Sequence, residues 1–230
     1  MARLSHRWTL HAVTAGLVGS MGVAARAEVT FLTQQREIRA ATSADANTQV
    51  VAATDFSQFA QTLNLSTPFQ TPAGPATNDA DTDIDCTIDP NAIRASGGLG
   101  ASGGLNVNGS LETGEAGAFI YITFTVTTPT PITLLCTPRP STDPRDEFEL
   151  QLSSLSGGGA EFFLDETSPA QFVDFSTVLQ PGNYALQFQV ELSSSGNGIA
   201  QTFDFQALIP SPASASMLAI AGLLAARRRR

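Results

Sequence analysis

Five aspartates recur in one short stretch, Asp79, Asp81, Asp83, Asp85 and Asp89, within the run DADTDIDCTID. Carboxylates at every second position can converge on a hard cation if the backbone curls around it, so calcium is the cofactor these residues would hold. A helix–loop–helix calcium site asks for Gly at its sixth position and Glu at its twelfth. Counted from Asp79, those positions are Ile84 and Pro90, and that pattern fails. In an extended segment the aspartates would instead line one solvated face, with Thr82, Ile84 and Cys86 on the other. A second acidic group, Asp143, Asp146, Glu147 and Glu149, surrounds Arg145. Two carboxyls at the right separation could hydrolyse a glycoside; the same residues also suit a charged loop with a local ion pair.

What the chain lacks narrows the chemistry further. The two histidines, His6 and His11, and the single tryptophan, Trp8, all lie near the N-terminus, and the chain has no lysine. Residues 28–208 therefore offer no histidine base, no Ser-His-Asp triad, no histidine-ligated metal and no Schiff-base lysine. The same 181 residues hold all 21 acidic side chains against five basic ones, Arg36, Arg39, Arg94, Arg139 and Arg145, a net charge of −16. Such a surface repels nucleic acid and attracts cations. The expectation is a non-enzymatic domain.

The elements that position these residues read as strands. Tyr184, Leu186, Phe188, Val190 and Leu192 alternate with Ala185, Gln187, Gln189, Glu191 and Ser193, the period-two pattern of a half-buried strand. Gln180-Pro181-Gly182-Asn183 opens it with turn chemistry. Phe119–Thr128 alternates too, and its second face is partly apolar, which predicts a central place in a sheet. Further strands are predicted at Ile132–Thr137, around Phe148–Leu152, at Ala160–Leu164, Phe172–Val178 and Gln201–Leu208. Gln34–Ala46 and Thr48–Leu65 suit edge strands. Thr67–Thr77, with three prolines, reads as loop, and the Gly/Ala/Ser-rich Ala95–Leu105 reads as a flexible connector. Short strands with Gly, Pro and Ser turns argue for an all-β, antiparallel sandwich of jelly-roll-like form.

Both termini carry export features. Arg3 and Arg7 precede the apolar stretch Ala12–Ala25, and Ala25-Arg26-Ala27 offers a cleavage site before Glu28. At the other end Pro210-Ser211-Pro212 leads into the uncharged run Ala213–Ala226, and the chain stops in Arg227-Arg228-Arg229-Arg230. Fourteen residues make a helix of about 21 Å, short of the roughly 20 residues a bilayer core asks for. The arginines would stay cytoplasmic and halt export. This tail resembles the PEP-CTERM sorting signal of bacterial secreted proteins, with Ser211 where the usual acidic residue stands. The resemblance implies processing by an exosortase-type protease and delivery to the cell surface. The organisation expected is a signal helix at 1–27, an acidic sandwich domain at 28–208, and a sorting segment with a short hydrophobic helix at 209–230.

A looser resemblance covers the later part of the domain. Phe119–Val126, Ser156–Gly159, Leu179-Gln180-Pro181-Gly182-Asn183-Tyr184, Ser193–Gly198 and Phe203-Asp204-Phe205 follow an order similar to planctomycete-type secreted proteins with such tails. The Pro-Gly-x-Tyr turn also resembles bacterial pre-peptidase C-terminal-type sandwiches. Neither likeness implies an activity. In an exported domain Cys86 and Cys136 most simply pair as a disulfide closing a loop of about 51 residues. The functional expectation is a non-enzymatic cell-surface or extracellular-matrix protein, with calcium bridging it to acidic polysaccharide. The alternative is a secreted carbohydrate- or calcium-binding module, which would present exposed aromatics on a sheet face.

Overall fold

Period-two burial, repeated strand after strand, builds two six-stranded antiparallel sheets packed face to face. The computed structural model describes residues 29–137, 147–157, 159–165, 172–196 and 198–209. The signal and sorting segments, Pro210, Pro212 and Arg227–Arg230 among them, lie outside the described residues, as do Asp143, Arg145 and Asp146. Among the described residues no helix is long and apolar enough to cross a membrane.

In chain order the strands are β1 (Val29–Thr42), β2 (Asn47–Ala52), β3 (Phe59–Thr71), β4 (Gly74–Asp89) and β5 (Ala92–Ala101). A small hairpin follows, β6 (Gly104–Leu105) and β7 (Leu111–Glu112). The rest are β8 (Gly114–Val126), β9 (Thr130–Thr137), β10 (Glu147–Ser154), β11 (Gly159–Asp165), β12 (Val173–Leu179), β13 (Gly182–Ser194) and β14 (Ile199–Leu208). The first sheet runs β11-β10-β13-β8-β1-β2 and the second β12-β9-β14-β5-β4-β3. The predicted central strand, Phe119–Thr128, is the core of β8, which lies between β13 and β1.

Aromatic rings fasten the sheets to each other. Phe188 on β13 stacks on Phe205 of β14 with centroids 5.0 Å apart, and meets Phe203 at 5.3 Å and Phe148 edge-on at 6.1 Å. Such ring pairs contribute about 0.5–1.5 kcal/mol each beyond the area they bury. Tyr184 stacks on Phe124 at 5.8 Å and donates its hydroxyl to the carbonyl of Gln180 at 2.8 Å. The Pro-Gly-x-Tyr turn thus closes on itself through the tyrosine, a corner that fixes where β13 begins. Ile209 is buried beyond the end of β14, its N–H donating to Asn91 O at 2.7 Å.

Gln34–Ala46, expected at an edge, falls mostly in β1 between β8 and β2, and three further expectations are corrected. Thr67–Thr77 is a hairpin, not a loop: β3 and β4 turn at Pro72-Ala73, with Gly74 at φ 126°. Pro68 fits within β3 because β3 is an edge strand, where a missing N–H costs no ladder bond. Ala95–Leu105 is no connector: most of it is β5, bonded to β4 on one side and β14 on the other. Its glycines stand where neighbours press in. A Cβ on Gly97 would lie 2.1 Å from the carbonyl oxygen of Asp83 and 2.9 Å from the ring of Phe203.

The third concerns the disulfide. Cys86 and Cys136 are both free and buried. The register runs Cys86–Ala95–Phe205–Cys136 across four strands. Three inter-strand steps place the two Cα atoms about 14 Å apart, where a disulfide tolerates no more than about 7 Å. Burial pushes both thiols up, Cys136 to about 12, with Asp204 adding to it. They pack as small core residues.

Candidate functional site

The aspartates of the second sheet come first. Asp79, Asp81, Asp83, Asp85 and Asp89 all lie on β4, alternating with the buried Ala80, Thr82, Ile84 and Cys86. The backbone is extended, so the carboxylates form a row rather than a cage. Among the described residues no group of three or more His, Cys, Asp or Glu is placed to hold a metal ion. Of the two readings the sequence left open, this extended placement matches the solvated face, with Thr82, Ile84 and Cys86 on the other. Asp79 takes hydroxyl hydrogen bonds from Ser66 (2.6 Å), Thr77 (3.0 Å) and Ser102 (3.1 Å). Burial alone would raise its pKa, but the three hydroxyls outweigh that and hold it below the ordinary value. Asp89 pairs with Arg94 at 3.1 Å on the surface. Asp81, by contrast, is pushed up by burial and then by the charge of Asp79. Beside the row, Gly98 and Gly100 of β5 leave troughs of about 640 and 430 Å³, walled by Asp81, Asp83 and Thr202.

The outer face of the first sheet is chemically richer. Its residues fall into rows set by strand register. One reads Gln35–Tyr121–Gln187–Gln151–Phe163, the next Glu37–Phe119–Gln189–Glu149, and the third Arg39–Gly117–Glu191–Glu147. Phe119 and Tyr121 are neither core nor fully exposed; they lie partly open among amides and carboxylates. Phe163, at the edge, is 52% exposed. Tyr121 and Phe163 are three strands apart, about 14 Å.

The polar groups between the rings are already organised. Gln187 Nε2 donates to Glu149 Oε1 at 3.0 Å, Gln189 Nε2 to Glu147 Oε2 at 3.1 Å, and Gln35 Nε2 to Glu37 Oε2 at 3.2 Å. Arg39 reaches two carboxylates, Glu115 at 3.2 Å and Glu191 at 3.4 Å. Between Arg39 and Glu191 stands Gly117, and the missing side chain opens a groove of about 320 Å³ lined by Arg39, Phe119, Gln189 and Glu191. Burial raises the pKa of Glu191, Arg39 opposes this, and Glu147 and Glu115 add to the rise.

Chemically, the face can stack the apolar side of a ring on Phe119 or Tyr121 while amide and carboxylate oxygens take hydroxyl donors around its rim. Sequence reasoning recorded the partly apolar second face of β8 and drew from it only a central place in the sheet. The signal for a site was the same aromatic pair, combined with Gln187 and Gln189 on the polar face of β13. Of the second acidic group, Glu147 and Glu149 are described, and both join this face.

No protein-family model and no curated protein matches the chain. A solved structure described as "Structural basis for the promiscuous specificity of the carbohydrate-binding modules from the beta-sandwich super family" aligns with 80% of this chain and 86% of its own. Identity is 9% and the TM-score 0.24, a likeness that carries no argument about ligand or activity.

Proposed function

We propose that the chain is a non-enzymatic cell-surface or extracellular-matrix protein whose sandwich binds polysaccharide on the outer face of its first sheet. One observation carries the reading: Phe119 and Tyr121 stand partly open on a sheet whose other face already fills the core, ringed by Gln35, Gln187 and Gln189. The core between the sheets does not require two aromatics there. The non-enzymatic part is supported by the carboxylates themselves. Glu37, Glu115, Glu147, Glu149 and Glu191 each accept a hydrogen bond from an amide or guanidinium. They hold the face in shape and sit on an open sheet, where water reaches both sides of a glycosidic bond. We take the strand path from β8 to β14, which crosses repeatedly between sheets, as jelly-roll-like.

Delivery is part of the same proposal. It rests on Arg3, Arg7 and the Ala25-Arg26-Ala27 site at one end, and on Pro210, Pro212 and Arg227–Arg230 at the other. An exosortase-type protease would be the processing partner, and the C-terminal segment the membrane contact before processing.

Binding is tested by titrating glycan oligomers into the purified protein. Tyr121→Ala should weaken binding at least about tenfold, a loss near 1.4 kcal/mol, with the circular dichroism spectrum unchanged and no reducing ends released by either protein. Equal affinity in the variant would remove this face as the site. Delivery is tested by intact mass of the protein from its native host. A species beginning at Glu28 and ending near Pro210 is expected. One that still ends at Arg230 in the membrane fraction would discard the processing step.

A further inference from the structure

The charge on the proposed binding face says which glycans it takes. Among the described residues, five glutamates, Glu37, Glu115, Glu147, Glu149 and Glu191, and one cation, Arg39, stand around Phe119, Tyr121 and the Gly117 groove. That cation is occupied, since both its terminal nitrogens bond carboxylates, Glu115 and Glu191. A uronate or sulfated chain laid across the rings would meet these carboxylates, and the Arg39 guanidinium beside them is already engaged. An ammonium on a sugar ring would meet the opposite. Glu191 and Glu147 are directly cross-strand beside the groove, where carboxyl groups come within reach of one substituent.

We propose that the ligand is a cationic amino-sugar polymer, a hexosamine chain bearing free amines, stacked on Tyr121 and Phe119 with an ammonium held by Glu191 at the groove edge and by Glu147 directly cross-strand from it. This deepens the glycan-binding reading and rests on it. The domain's wider charge supports it at long range. The opposite sheet carries the row Asp79–Asp89, so the field of the whole domain attracts a polycation and repels an anionic polymer. The site also removes the need for bridging calcium, which an acidic polysaccharide would require.

Four oligomers of matched length separate the cases by isothermal titration in EDTA: oligoglucosamine, its N-acetylated form, a neutral β-glucan and oligogalacturonate. An oligolysine of matched charge is the fifth probe. Oligoglucosamine should bind at least about tenfold tighter than either neutral glycan, and oligogalacturonate should not bind. Glu191→Gln should erase most of that preference, read as the ratio of oligoglucosamine to neutral-glycan affinity, with the circular dichroism spectrum unchanged. Gly117→Ala should fold, because its Cβ would sit 3.5 Å from Glu191 Cγ, an ordinary contact; it should cut affinity by filling the groove floor. Neutral and amino glycans binding alike would overturn the amino-sugar inference and leave the glycan face standing. Oligolysine binding as tightly as oligoglucosamine would overturn it as well, reducing the effect to bare charge. Absence of binding by every glycan would fell both readings together.

Discussion

Arg36 is fully buried, and its guanidinium is satisfied largely by backbone. Its Nε donates to Gln34 Oε1 at 2.9 Å, and its terminal nitrogens donate to the carbonyls of Cys86 (3.3 Å), Ser57 (2.9 Å) and Asp55. The guanidinium also lies 5.7 Å from the centroid of the Phe59 ring. One side chain therefore ties the first sheet to β4 of the second and to the connection between β2 and β3. Burying a charge is costly, and an apolar replacement of the same volume is often neutral when both partners leave together. Here the partners cannot leave, because three of them are backbone carbonyls. Arg36→Met would strand acceptors that each cost about 1–3 kcal/mol unpaired. The expected result is a loss of about 3 kcal/mol, read as a lower midpoint in urea; an unchanged midpoint would show that water replaces the guanidinium at no cost.

At the scale of elements, β5 shows how far sequence reading reaches. Where large and polar residues alternate, as in β8, β13 and β14, pattern alone predicted both the strand and its inward face. The run Ser96-Gly97-Gly98-Leu99-Gly100 offers no such contrast, and intrinsic propensity argued against a strand. Its pairing is decided by what lies beside it: the carbonyl of Asp83 and the ring of Phe203 need the space a side chain would take. That is tertiary information. The aspartate row was undecided for the converse reason, since its spacing suits a curled loop and a strand equally, and only the β3 and β5 ladders select the strand. Cys86 and Cys136 were legible as buried residues and not as partners, because strand order, not spacing, sets their separation. The binding face was half legible: Phe119 and Tyr121 were seen on an outer parity, but Gly117 and Arg39 join them only once β1 and β13 flank β8. The glycines themselves give the sharpest check. Gly97→Ala, with backbone 2.1 Å from the new Cβ, should destabilise by about 2 kcal/mol or more. Gly98→Ala meets only the mobile Oδ1 of Asp83 at 2.8 Å and should cost well under half as much in the same urea titration. Equal losses would mean that β5 responds to any added bulk and not to its packed side.

For the molecule as a whole, the two described ends matter as much as the faces. β1 runs from Val29 towards Thr42, whose hydroxyl meets Thr67 at 2.9 Å; β14 starts beside Ala101 and finishes beside Asn91. Val29 and Ile209 thus leave from one end, and the β6–β7 hairpin, with Leu105 and Leu111 exposed, crowns the other. A domain held through residues beyond Ile209 would stand with both broad faces upright and open. If it grips a polymer while so tethered, tension enters along β14. That strand is no edge: β5 pairs with it at ten positions, from Ile199 to Leu208, and β9 at five, from Asp204 to Leu208. Antiparallel hydrogen bonds lie perpendicular to the strands, so a pull on the C-terminal end strains them side by side instead of opening them one after another. Endurance under tension is then governed by how fast β14 can slip from between two neighbours, and the mid-sheet place of the last strand makes the domain a mechanical clamp.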